Sequence, residues 1–204
     1  MLARRVVISI CMMALACARD APRNDARGPD LRSELLARVQ EDQAVREAVA
    51  AELRAGRVPG SELIAQMHAT DSANVAWLKG VVAQSGWPMP EQVGADGVNA
   101  AFLLLQHADA DPAFQERMLP VLDSAYAAGQ IDGESVALLT DRVARAKGEP
   151  QCYGTQASIV DGRLVVDPIE DSLHVDERRA RMGLLPLARY LQLLDSVYAP
   201  GTQR

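Results

Sequence analysis

Asp96-Gly97-Val98-Asn99-Ala100-Ala101-Phe102-Leu103-Leu104-Leu105-Gln106-His107-Ala108 is the stretch on which the fold class turns. Its centre, Ala100 to Leu105, is apolar without a break. Such a segment reads as a helix with little polar face to give to solvent, so it belongs in a core with other elements packed around it. The composition points the same way: aromatics are only 4% of the chain, while Ala, Leu and Val are abundant. That bias favours packed helices over an aromatic-rich β-sandwich.

Working outward from this helix, the stop and start signals repeat. Asp111-Pro112 offers an N-cap followed by proline at the first helical position, and predicts a helix running to Gly129. Asp132 caps another that ends at Gly148. On the N-terminal side, Gly86-Trp87-Pro88-Met89-Pro90 reads as a loop, because two prolines exclude helix and central strand. Before it, Val75, Trp77, Leu78, Val81 and Val82 mark a helix from about Thr70 to Gln84. Leu63, Ile64 and Met67 start another after Pro59-Gly60-Ser61. Leu31, Leu35, Val39, Val49 and Leu53 carry the first helical stripe, closed by Gly56.

Beyond Gly148 the period changes. Tyr153 to Val160 and Arg163 to Val166 flank Asp161-Gly162, and β-branched runs around Asp-Gly predict a hairpin. Pro168 ends its second arm. A short helix over Val175 to Met182 and an amphipathic one from Pro186, with Leu187, Tyr190, Leu191 and Leu194, close the chain. The expected fold is mainly α, five to seven helices with one small β-hairpin near the C-terminus, as a single domain over residues 31–204.

The N-terminus reads as an export signal. Arg4 and Arg5 precede an apolar run from Val6 to Ala16, which is too short to span a bilayer, a task for ~20 residues. Ala14-Leu15-Ala16-Cys17 resembles a bacterial lipobox, with Ala14 where Leu is usual. The resemblance implies a signal peptide over 1–16, lipidation of Cys17 and membrane attachment outside the cytoplasm, at the outer membrane if the cell is Gram-negative. The alternative is an ordinary signal peptide cut at the same bond, leaving a soluble periplasmic or secreted protein. Residues 17–30 hold no aliphatic side chain larger than alanine or proline and read as a flexible tether. Only Cys152 would remain beside Cys17 after cleavage, so no disulfide within the folded domain is expected.

Charge excludes some functions. The chain carries a formal −6, and loss of Arg4 and Arg5 leaves 19 basic against 27 acidic residues, or −8. Nucleic acid needs phosphate-neutralising Lys and Arg, so it is not an expected partner. His68, His107 and His174 stand far apart, which argues against a metal site. G-x-S-x-G, P-loop and G-x-G-x-x-G patterns do not occur, and no cofactor is expected.

Gly86-Trp87-Pro88, Gln106-His107-Ala108-Asp109, Asp141-Arg142-Val143, Gln151-Cys152-Tyr153-Gly154-Thr155-Gln156 and Asp176-Glu177-Arg178-Arg179, taken in order, resemble the bacterial domain of unknown function 6624. The resemblance spans roughly residues 35 to 195 and carries over no catalytic role.

The candidate site residues come from these segments. His107, at the end of the most apolar helix, is either an acid–base group or a histidine capping the helix C-terminus. Asp141 and Arg142 lie mid-helix as a solvated face or an internal ion pair. On an extended strand Tyr153 and Thr155 would share one face, and Gly154 would admit a ligand or another backbone. Gln106, Gln151, Tyr153, Thr155 and Gln156 supply neutral donors and acceptors, and Arg178 a clamp for an anion. Two functions follow. One is a cell-envelope module that binds a small molecule or a protein partner through Gln151–Gln156 and nearby Trp87. The other is an envelope hydrolase or transferase using His107 with Asp141 or Tyr153.

Overall fold

The computed structural model describes residues 5–7, 30–160 and 163–198. Its helices are α1 (Leu31–Arg54), α2 (Ser61–Ser85), α3 (Pro90–Gln106), α4 (Pro112–Ala127), α5 (Gly133–Lys147), α6 (Val175–Arg181) and α7 (Leu187–Tyr198), with a 3-10 turn at Ser172–His174. Strands β2 (Ala157–Val160) and β3 (Arg163–Val166) pair antiparallel, with Ala157 opposite Val166. β1 (Arg5–Val7) lies antiparallel on the other edge of β2. The mainly helical fold with a hairpin near the C-terminus is the expected one. The Asp161-Gly162 turn, the rest of the leader and the tether lie outside the described residues. No described helix is long and apolar enough to cross a membrane.

Capping fixes where several helices begin. The carboxylates of Asp30, Asp111 and Asp132 accept from the N–H groups of Ser33, Phe114 and Ser135, at 2.7, 3.0 and 2.7 Å. α3 is the central element. Every residue from Ala100 to Ala108 is buried, and α1 and α5 pack against it, with α2 alongside and α4 on α5. Burial of leucines such as Leu104 and Leu105 contributes about 1.5–3 kcal/mol each. A second, smaller apolar cluster joins Ala157 and Leu194 with Leu164, Tyr190 and Leu191, and seats α7 on the hairpin.

Three boundaries differ from the sequence reading. Residues 61–85 form one helix and not two, because no Gly or Pro interrupts the chain before Gly80. The loop before α3 ends at Met89, and Pro90 opens the helix as a first-turn proline; Gly94, at φ 70°, kinks it a turn later. Tyr153–Gln156 is not strand. Gly154 sits in the left-handed region at φ 67°, and the amides of Cys152, Tyr153 and Thr155 converge on one carboxylate, so the pleat begins only at Ala157.

Candidate functional site

The segment singled out at Gln151–Gln156 folds around Asp141 of α5. One Asp141 oxygen accepts from the N–H groups of Cys152 and Tyr153, at 2.7 and 2.9 Å, and the other from Thr155 at 2.8 Å. Burial pushes the Asp141 carboxyl above its ordinary value, against the pull of these amides. The Gln151 side chain donates to the carbonyls of Gln156 and Asp167, both at 2.9 Å, and accepts from the Gln156 N–H. The Gln156 amide donates to the Thr155 hydroxyl. Arg178 donates to the carbonyls of Cys152 and Asp171, Arg179 to those of Tyr153 and Leu185, and the Tyr190 hydroxyl to that of Thr155. A methyl on Gly154 would lie 2.6 Å from Ile169 Cδ1, so the close approach that glycine permits is made by the protein's own side chain. This hub ties α5, the hairpin, α6 and α7 together.

The other candidates are distributed as follows. Trp87 is in the helical core with its ring nitrogen buried. Gln106 is fully buried, and its backbone carbonyl accepts from Gln115. The Tyr153 phenol is pushed up to about 12, mainly by burial, and burial also raises the Cys152 thiol. His107 makes its hydrogen bonds with neither Asp141 nor Tyr153.

His107 is paired with residues of α1. It is the C-cap of α3 and is 2% exposed. Its Nδ1 lies 3.0 Å from Asp42 Oδ2 and 3.0 Å from Arg46 Nε. Arg46 also donates to Asp42, at 3.2 Å, and to Asp71 of α2. Asp42 additionally accepts from Gln43. Nδ1 faces both the Asp42 carboxylate, which only accepts, and the Arg46 Nε–H, which only donates; with the ring proton on Nδ1, it donates to Asp42 and the Arg46 Nε–H is left to the same carboxylate. Nε2 is then the bare nitrogen. It is buried and has no hydrogen-bond partner. Burial lowers the His107 pKa, with Asp42 opposing and Arg46 and Arg142 assisting, which keeps the ring neutral near pH 7. Asp42 is held below the ordinary carboxylate range because its bond to His107 and the Arg46 charge outweigh its burial.

His107 also lines a cleft of about 230 Å³ between α2 and the α3–α4 turn. Val75, Ala76, Ala108 and Ala110 form its apolar wall. Asp71 and His107 supply polar groups, and Lys79 and Asp111 form an ion pair at its rim, 2.7 Å apart. Behind His107, Arg142 of α5 is 1% exposed and donates through Nη1 to Asp109 at 2.6 Å. Asp42, Asp71 and His107 bring ligand-type atoms within 4.8 Å of one another, as metal ligands would be. The Arg46 guanidinium, however, bonds both carboxylates and lies 3.0 Å from His107 Nδ1, so the cation that neutralises this cluster is a side chain of the protein.

The model of a family of unknown function, DUF6624, matches residues 29–202. The chain belongs to the DUF6624 family. The match takes in both the Asp141 hub and the His107 cleft, so both are features of the family's domain in this chain. No curated protein and no solved structure matches it.

The sequence reading passed over Asp42, Arg46 and Asp71, and a signal for them was present. The α1 stripe runs Leu35, Val39, then Val49 and Leu53, and the two missing heptad positions are Asp42 and Arg46. On α2 the series Ile64, Met67, Asp71, Asn74, Leu78 places Asp71 in the same way. A charge on a core stripe is buried, and a buried charge needs a partner.

Proposed function

We propose that this protein is an exported, lipid-anchored ligand-binding module of the cell envelope, and that its ligand enters the cleft floored by His107. One observation carries the reading: a buried imidazole nitrogen without a partner, on a ring bonded to Asp42, in a residue that lines a cleft of about 230 Å³. Buried polar atoms in folded proteins are nearly always paired, and the exceptions concentrate at functional sites. The Gln151–Gln156 segment and Trp87 do not serve as the docking surface in this reading, since their polar groups are spent on internal bonds or sit in the core.

The test is a small-molecule binding screen on the protein and its His107→Asn variant. The shorter amide keeps a donor near the Nδ1 position for Asp42 and has no counterpart of Nε2. Hits that bind the parent and lose affinity in the variant are expected. Hits indifferent to His107 would sink the assignment of the cleft.

A second reading is an envelope hydrolase or transferase. It is favoured by the Asp42–His107 pair, since a neutral imidazole with Nδ1 held by a carboxylate presents Nε2 as a general base. Asp42 then takes the place considered for Asp141 or Tyr153.

The compartment rests on the leader. Cleavage before Cys17 would take β1 away and leave β2 as a sheet edge, with residues 18–30 as tether to the membrane. Cell fractionation of a Cys17→Ser variant is expected to move the protein from the membrane to the soluble fraction. Unchanged membrane retention would remove the lipid anchor from the proposal.

A further inference from the structure

We propose that the outer edge of β3 pairs with the same edge of a second copy of this chain, antiparallel about a two-fold axis at Val165, to form a homodimer. The inference is independent of the His107 cleft, since it concerns the hairpin and α7 alone.

The hairpin leaves one edge bare. β2 has β3 on one side and β1 on the other, so β3 is an end strand of the sheet. The Asp167 N–H donates to the Gln156 carbonyl at 3.1 Å, and Val165 stands opposite Ser158. In an antiparallel ladder, residues that bond across alternate with residues whose N–H and C=O point away. The backbone groups of Val165 and Asp167 therefore face β2, and those of Leu164 and Val166 face outward. These outward groups have no hydrogen-bond partner among the described residues. Natural edges are commonly blunted by a lysine, a proline or a bulge. Leu164-Val165-Val166 carries none of these, and Val165 is 46% exposed.

The occupant follows from the strand's own sequence. Arg163-Leu164-Val165-Val166-Asp167 is complementary to itself in the antiparallel sense. With Val165 opposite the partner's Val165, Leu164 meets the partner's Val166 and Arg163 meets the partner's Asp167, and symmetry repeats both pairs. This register joins each outward N–H to an outward C=O of the other copy. The Ser158 hydroxyl donates to Asp167 Oδ1 at 3.0 Å and orients that carboxylate. Neighbouring registers fit less well. An axis at Val166 sets Pro168, which has no N–H, opposite Leu164. An axis at Leu164 sets Arg163 opposite Val165 and parts it from Asp167.

α7 extends the contact beyond the strand, as a stable dimer needs on the order of 1,200 Å² of buried surface. A groove of about 320 Å³ lies between Leu164 and Val166 of β3 and Ala188, Leu191, Gln192 and Asp195 of α7. No residue of β2 lines it, so it flanks the bare edge, where a strand added to β3 lays its α7-facing side chains. β1 covers the opposite edge of the sheet, so the pairing closes as a dimer and does not run on into a filament.

The experiment is sedimentation equilibrium of the full chain from about 1 to 500 μM, joined to site-specific cross-linking. A dimer is expected. Arg163→Asp or Asp167→Arg alone should raise its dissociation constant at least about tenfold, and the two together should restore it to within about threefold. The restoration would show that loss in the single variants is not loss of the fold. Val165→Cys should give a disulfide-linked dimer on mild oxidation, since this type of antiparallel pair sets the Cα atoms ~4.5 Å apart. The parent's own cysteines set the background, and Leu173→Cys, on the exposed turn before α6, should not exceed it. A chain that stays monomeric throughout would overturn the proposal. So would a dimer that ignores the charge swap and does not cross-link through position 165, because its contact would lie on another surface.

Discussion

Two buried polar assemblies stand in this helical domain, and they are built from the same kinds of residue. Around Asp141, a carboxylate, two glutamines, two arginines and a tyrosine meet a loop whose amides and carbonyls they bind. Around His107, two carboxylates and an arginine meet an imidazole, and one ring nitrogen is left over beside a cleft. The first is a joint: α5, the hairpin, α6 and α7 are held by bonds to the loop's own amides and carbonyls. The second is unfinished from the protein's side. Polar density does not separate a site from a structural joint; the state of hydrogen-bond completion does.

The contrast predicts where mutations act. Asp141→Ala strands three amide donors in the interior and should cost about 3–5 kcal/mol of stability, read as a lowered denaturation midpoint. A loss below about 1 kcal/mol would mean that the hub does not hold the C-terminal elements. Gly154→Ala places a methyl against Ile169 on a backbone at φ 67° and should cost about 1–3 kcal/mol. His107→Asn keeps the donor to Asp42, so its unfolding midpoint should shift by no more than about 1 kcal/mol while ligand binding is lost. If it unfolds the protein as Asp141→Ala does, the two assemblies are alike and the distinction breaks.

The smallest effect concerns pH. Asp71 is raised from 3.8 to about 6 in the folded state, so its protonated form favours the fold. That contribution is fully present below pH 3.8 and is lost as pH rises through about 6. His107 acts oppositely: its folded pKa lies below 6.5, so its contribution is present above 6.5 and falls away on acidification. The stability difference between the parent and Asp71→Asn cancels the shared histidine term. It should change in the parent's disfavour by on the order of 1–3 kcal/mol between pH 4 and 7. A flat difference would place Asp71 outside the coupled cluster.

Most of the fold was legible because helices announce themselves locally. Asp111-Pro112, Asp132 and Gly148 mark ends through caps that act within a few residues, and the structure keeps them. The Gln151–Gln156 segment was misread as strand because its shape is set from a distance: Asp141, ten or more positions earlier, gathers its amides. The His107 site was half legible. His107 stood out at the end of the apolar run, but its partners come from α1 and α2 and meet it only through packing. The interrupted stripes at Asp42, Arg46 and Asp71 were the trace that packing left in the sequence.

The protonation state of His107 separates a binding site from a structural joint most directly. Long-range ¹H–¹⁵N correlation spectra of histidine-labelled protein distinguish the two neutral tautomers and the imidazolium. The expected result is a neutral ring at pH 7 with the proton on Nδ1, a bare Nε2, and titration below the ordinary value of 6.5. A proton on Nε2, or an imidazolium at pH 7, would contradict it, because the cleft would then lose the buried acceptor on which its function is proposed.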